Sequence, residues 1–206
     1  MERTNRVKFM TFRLLSLFAL LLTISMRAAD ASAPTAEIKT SASETLAMPG
    51  LGVGEKAADF TLTDAGGKEV SLQSILKTGK VALVFVRSAE WCPFCRTQLQ
   101  DLQKNREEIE ATGARLIAVS YDSPATNGAA SAKLGLTFPL LSDPGSTVID
   151  AYGIRNQEAK GRAAGVPHPV VFILDQEGVI RAKLMRDGYK VRPESAEIIA
   201  GANSFE

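Results

Sequence analysis

The run Lys80-Val81-Ala82-Leu83-Val84-Phe85-Val86 is apolar at every position after the first and rich in β-branched side chains. A strand with one wetted face alternates apolar and polar residues. A run without alternation therefore predicts a strand buried on both faces of a parallel or mixed sheet. RLIAVS (residues 115–120) reads as a second such strand, and FPLLSD (138–143) as a third segment of the sheet. VVFILD and GVIRAKLM flank Gln176-Glu177-Gly178 and predict an antiparallel hairpin, as do the two short alternating runs around Ala65-Gly66-Gly67. Between the strands, Cys95, Leu99, Leu102 and Ile109 recur at helical spacing, which predicts one helix from Pro93 to Gly113. DPGSTVIDAYGI reads as helical, and Glu194 to Ala200 as a short final helix. This order predicts an α/β domain with a central mixed sheet, helices on both faces and a C-terminal hairpin.

The two cysteines of the chain lie at this frame's most informative junction, in SAEWCPFCRTQL (88–99). Cys92 stands where a buried strand turns into a helix N-terminus, whose free N–H groups and dipole favour a negative charge. Pro93 suits the first helical turn, where its missing N–H costs nothing. Thiols so placed can titrate at about 3.5–7.5, and the thiolate is the attacking species. Cys95 falls one turn on, on the inward face with Leu99 and Leu102. The spacing thus assigns attack on a disulfide to Cys92 and resolution of the mixed disulfide to Cys95. A purely structural clip is disfavoured, because closing so short a loop restricts the unfolded chain very little.

The first 31 residues read as an address: a basic stretch to Arg13, a nearly all-apolar run from Leu14 to Ile24, then Ala29-Asp30-Ala31 as a cleavage site. Residues 1–31 are thus expected to be a signal peptide, with an uncleaved membrane anchor as the alternative. Residues 32–50 are small and polar and read as a linker, leaving a domain at 51–206. An exported, periplasmic or otherwise extracytoplasmic location follows, where a thiol pair tends to be oxidised. Removing the five basic and two acidic residues of the leader from totals of 24 and 23 leaves a balance of about −2. Nucleic-acid binding therefore has no electrostatic source.

EWCPFC after an apolar strand, KAADFTLTDAGGKEVSL upstream and GVPHPVVFILDQEGVIR near the end together resemble the thioredoxin-fold redoxins. The resemblance is to the alkyl hydroperoxide reductase/thiol-specific antioxidant group and its exported thiol–disulfide oxidoreductase relatives, over about residues 50–200. It implies a thioredoxin-like fold with an N-terminal β-hairpin extension. It also implies a cis-proline at the start of the strand beside the cysteines, placed at Pro169, and hence Trp91, Pro93, Phe94, His168 and Pro169 around the reacting sulfurs. No cofactor is implied. The partners would be thiol- or disulfide-bearing proteins or small thiols, with peroxide as a further possibility. A membrane enters only if the leader stays attached.

Two activities divide that group. Its peroxidases resemble one another in P-x-x-x-T-x-x-C and an arginine near the start of the late strand. With Cys92 as the peroxide-reducing residue, Phe85 and Ala89 occupy the proline and threonine places and Pro169 the arginine place. With Cys95, Ser88 and Cys92 do. Neither register fits, so disulfide exchange is favoured over peroxide reduction, with Arg87 or Arg96 left to supply positive charge. The buried acid of thioredoxin would fall at Val86, which cannot move a proton. His168, the sole histidine, has three readings: a loop residue without a role, a charge partner of Cys92, or a third copper or zinc ligand beside the cysteines. The last would make the protein a metal-binding chaperone.

Overall fold

The computed structural model describes residues 48–188 and 190–205. The leader and most of the expected linker lie outside the described residues. Seven strands form one sheet in the order β2-β1-β5-β4-β3-β6-β7. They are β1 (Thr61–Asp64), β2 (Glu69–Ser71), β3 (Lys80–Phe85), β4 (Ala114–Ser120), β5 (Leu140–Ser142), β6 (Val170–Leu174) and β7 (Ile180–Met185). β3, β4 and β5 run parallel, while β6 and β7 on one flank and β1 and β2 on the other are antiparallel. The expected mixed sheet and both hairpins are therefore present, and the N-terminal hairpin joins the sheet edge through β1 against β5.

The alternation of β3 explains its apolar run. Val81, Leu83 and Phe85 enter one core with Phe172, Tyr152 and Ile149, whereas Ala82 and Val84 enter a second with Cys92, Cys95, Leu99 and Leu102. Each full burial of a Val, Leu, Ile or Phe side chain stabilises the fold by about 1.5–3 kcal/mol. The strand is thus clamped between two layers. The first core takes helices α1 (Leu72–Leu76) and α5 (Thr147–Ala151). The second takes α2 (Pro93–Lys104), α3 (Arg106–Ala111), α4 (Pro124–Leu134) and α6 (Ser195–Asn203).

The single helix expected from Pro93 to Gly113 is two. Asn105, at φ −102° and ψ 14°, breaks it, and its side-chain amide donates to the Asp101 carbonyl and carboxylate at 2.9 and 3.0 Å. An asparagine that satisfies a helix end with its own side chain competes with helix propagation. The face pattern survives the break, since Leu99, Leu102 and Ile109 are all fully buried.

At the N-terminal side, residues 48–50, assigned by composition to the linker, contact the domain. The Lys183 ammonium donates to the carbonyls of Met48 and Gly50 at 3.2 and 3.0 Å, and the Leu51 N–H donates to Tyr152. Among the described residues no helix is long and apolar enough to cross a membrane.

Candidate active site

The chain leaves β3 through a short loop, residues 86–91, that delivers Cys92 to the start of α2. Pairing extends one residue past β3, with Val86 N–H donating to Val119 at 2.9 Å. Beyond it, Ser88 Oγ accepts from the N–H groups of Glu90 and Trp91, and Ala89 N–H donates to Asp122 at 2.9 Å. Asp122 also accepts from Ser120 Oγ at 3.2 Å. Burial pushes its carboxyl above the usual range, against the hydrogen bonds from Ala89, Ser88 and Ser120, and the Glu90 charge adds to the rise. A buried acid thus pins the loop.

Cys92 is the N-cap of α2 and Pro93 its first residue. The Cys95 N–H donates to Cys92 Sγ at 3.2 Å, using one of the helix's otherwise unpaired amides. The two sulfurs form a disulfide with Cα atoms 5.3 Å apart. Both cysteines are fully buried in this oxidised state.

Two guanidinium groups face the sulfurs. Arg87 Nη2 lies 3.5 Å from Cys92 Sγ, and Arg192 Nη2 lies 3.9 and 3.7 Å from the sulfurs of Cys92 and Cys95. Arg87, only 3% exposed, fills the role the sequence left open between it and Arg96. Arg96 instead donates to the Glu90 carbonyl. Arg192 escaped the sequence reading. It comes from the segment before α6, a hundred residues on, and no local motif marks it. Among the described residues no hydroxyl is hydrogen-bonded to Cys92 Sγ.

Trp91 is braced at the edge of this centre. Its Nε1 donates to the Tyr121 hydroxyl at 3.0 Å, and the guanidinium carbons of Arg87 and Arg162 lie 5.5 and 5.1 Å from its ring. Phe94 is half-buried against the second core. Pro169 precedes Val170, which pairs with Phe85, so it sits at the cysteine end of the sheet. The expected cis bond is absent: every described peptide bond is trans, the cheaper form of an X–Pro bond by about 0.5–1 kcal/mol.

His168 is placed elsewhere. Its N–H donates to the Ile154 carbonyl at 2.7 Å, and it lines a cavity with Pro49, Asp150, Arg155 and Glu158. Burial lowers its imidazole below the usual range, and the Glu158 charge opposes the shift. Among the described residues no three His, Cys, Asp or Glu side chains come together to hold a metal, so a site from Cys92, Cys95 and His168 is not formed. The guanidinium groups that contact Cys92 Sγ belong to Arg87 and Arg192.

A family model described as the AhpC/TSA family matches residues 53–183. The chain belongs to that family. Alkyl hydroperoxide reductase E of Mycobacterium tuberculosis is 34% identical to this AhpC/TSA protein over 146 residues, covering 70% of this chain and 92% of that one. Thiol-disulfide oxidoreductase ResA of Halalkalibacterium halodurans is 31% identical over 129 residues, covering 62% and 65%. The crystal structure of peroxidoxin BcpB from Mycobacterium tuberculosis superposes with a TM-score of 0.66 at 21% identity, covering 75% of this chain and 97% of that one. That likeness establishes the thioredoxin-like fold. With its cysteine pair at disulfide distance, this AhpC/TSA member is a thiol–disulfide oxidoreductase acting on thiol- or disulfide-bearing partners.

Proposed function

We propose that the protein works outside the cytosol, that Cys92 is the attacking sulfur and that Cys95 resolves. In the reducing direction the Cys92 thiolate attacks a partner disulfide, forming a mixed disulfide and releasing one partner thiolate. Cys95 then attacks Cys92 Sγ, forming the Cys92–Cys95 bond and releasing the second thiolate. Run in reverse, the same steps oxidise a partner dithiol. The observation that carries this reading is the resolving sulfur's position one helical turn from the attacking one, already bonded to it. Arg87 favours the thiolate that must form and leave on Cys92.

Thiol peroxidase activity is the second reading, favoured by what the alkyl hydroperoxide reductase relative is called. Against it stands Ala89, whose methyl occupies the place of a peroxide-activating hydroxyl, because activating groups as well as the thiolate set such selectivity. The Cys95→Ser variant separates the two readings. Mixed with a disulfide substrate, it should accumulate a stable mixed disulfide at Cys92, detected by intact mass, and should react slowly with hydrogen peroxide. Fast peroxide oxidation without mixed-disulfide trapping would establish the peroxidase in its place.

A further inference from the structure

A cavity of about 600 Å³ opens between α2 and the segment leading into α6. It adjoins the disulfide, because Arg192 lines it and reaches both sulfurs. Its volume is that of a small-molecule cleft, commonly about 300–1,000 Å³. Phe94 and Ile199 give it apolar wall, Lys190 and Arg192 positive charge, and Glu108 and Glu194 exposed carboxylates, the latter also accepting from the Glu197 N–H in the capping box of α6. Asp101 is engaged already, accepting from Ser195 N–H and Oγ at 3.3 and 2.6 Å, which ties α6 to α2 and fixes the cleft's width.

Gln98 is the informative residue. It lines the cleft at only 5% exposure, and its Oε1 is buried without a hydrogen-bond partner among the described residues. Buried polar atoms are nearly always paired, so an unpaired amide oxygen in a cleft wall points to a ligand. The two ends of a Gln amide are told apart only by their partners, so this group suits a ligand offering both a donor and an acceptor. A peptide group is such a ligand. Lys190, Arg192, Glu194 and Ile199 all come from the C-terminal segment, beyond the family-matched residues 53–183.

We infer that this cleft binds a low-molecular-weight peptide thiol, its carboxylate facing Lys190 and Arg192, its amine the glutamates and its amide Gln98. The inference rests on the exchange reading above and names its substrate class. The bound thiolate attacks one sulfur of the Cys92–Cys95 bond, which breaks, and the electron pair passes to the other sulfur, facing Arg192. A second thiolate attacks the mixed disulfide, releasing the oxidised small-molecule disulfide and leaving both cysteines reduced.

The test follows Trp91 fluorescence while the oxidised full-length protein is mixed with reduced glutathione or with dithiothreitol. The glutathione rate should saturate and the dithiothreitol rate should rise linearly. S-methylglutathione should slow only the former. Gln98→Leu should raise the half-saturating glutathione concentration about tenfold, the effect of one lost hydrogen bond to a ligand, and leave the dithiothreitol rate unchanged. A linear glutathione rate, insensitive to S-methylglutathione and to Gln98→Leu, overturns the inference while leaving disulfide exchange intact. Saturation by a ten-residue cysteine peptide alone overturns it in favour of a polypeptide partner. Failure of dithiothreitol to reduce the protein overturns the exchange reading itself.

Discussion

Charge at the sulfurs decides what this centre can do, and it comes from Arg87 and Arg192. Arg87 is nearly buried, so its attraction for a thiolate is weakly screened by solvent. Arg87→Met, which keeps the volume, should slow alkylation of reduced Cys92 by iodoacetamide at neutral pH about three- to tenfold, and Arg87→Lys should recover part of the loss. Equal rates in all three proteins would remove Arg87 from the mechanism. His168 supplies a second test at this scale. Burial lowers its folded-state pKa below the ordinary 6.5, so the native state binds fewer protons than the unfolded chain. Its contribution to stability is therefore full above 6.5 and lost as pH falls through the lowered value. His168→Gln should flatten that acid-side decline in urea unfolding, and parallel wild-type and variant curves would contradict the assignment.

Elements were legible wherever a local pattern and a tertiary role agreed. The apolar run of β3 and the turn glycines of both hairpins announced themselves because burial on two faces and tight reversal each demand particular residues. α4 was missed although its signals are present: Ser123 caps it, accepting from Thr126 N–H at 3.2 Å, Pro124 opens it, and Gly135 ends it at φ 64°. Its alanine-rich face carries too weak an apolar period to stand out. The break at Asn105 was invisible because both halves keep one apolar face. The domain's start was equally hidden, since Met48-Pro49-Gly50 has no apolar pattern. Gly50 sits at φ 92°, and a Cβ there would meet Ile154 Cγ2 and stand 2.6 Å from the Tyr152 carbonyl oxygen. Gly50→Ala should therefore destabilise the fold by about 2 kcal/mol or more, read from the denaturation midpoint. An unchanged midpoint would mean that this segment does not pack on the domain.

For the whole molecule, the sheet brings together what the sequence separates. The Cys92 loop leaves β3, Pro169 precedes the neighbouring β6, and Arg192 arrives after β7 on the approach to α6. The cysteine pair itself was readable from its helix-start position. Arg87 was one of two candidates for the positive charge, whereas Arg192 was hidden, because residues 105 positions apart in the chain meet only through strand order. A disulfide that closes so short a loop adds little to stability, so its place in the second core serves chemistry more than folding. The central claim is that Cys92 and Cys95 form a reversible redox pair, and Trp91, the sole tryptophan, adjoins it. The most direct measurement equilibrates the full-length protein in graded thiol/disulfide buffers and follows Trp91 fluorescence. The account predicts one reversible transition with a two-electron slope, abolished by Cys92→Ser and by Cys95→Ser. A signal that does not respond to the buffer, with the cysteines shown by mass to stay bonded throughout, would contradict it.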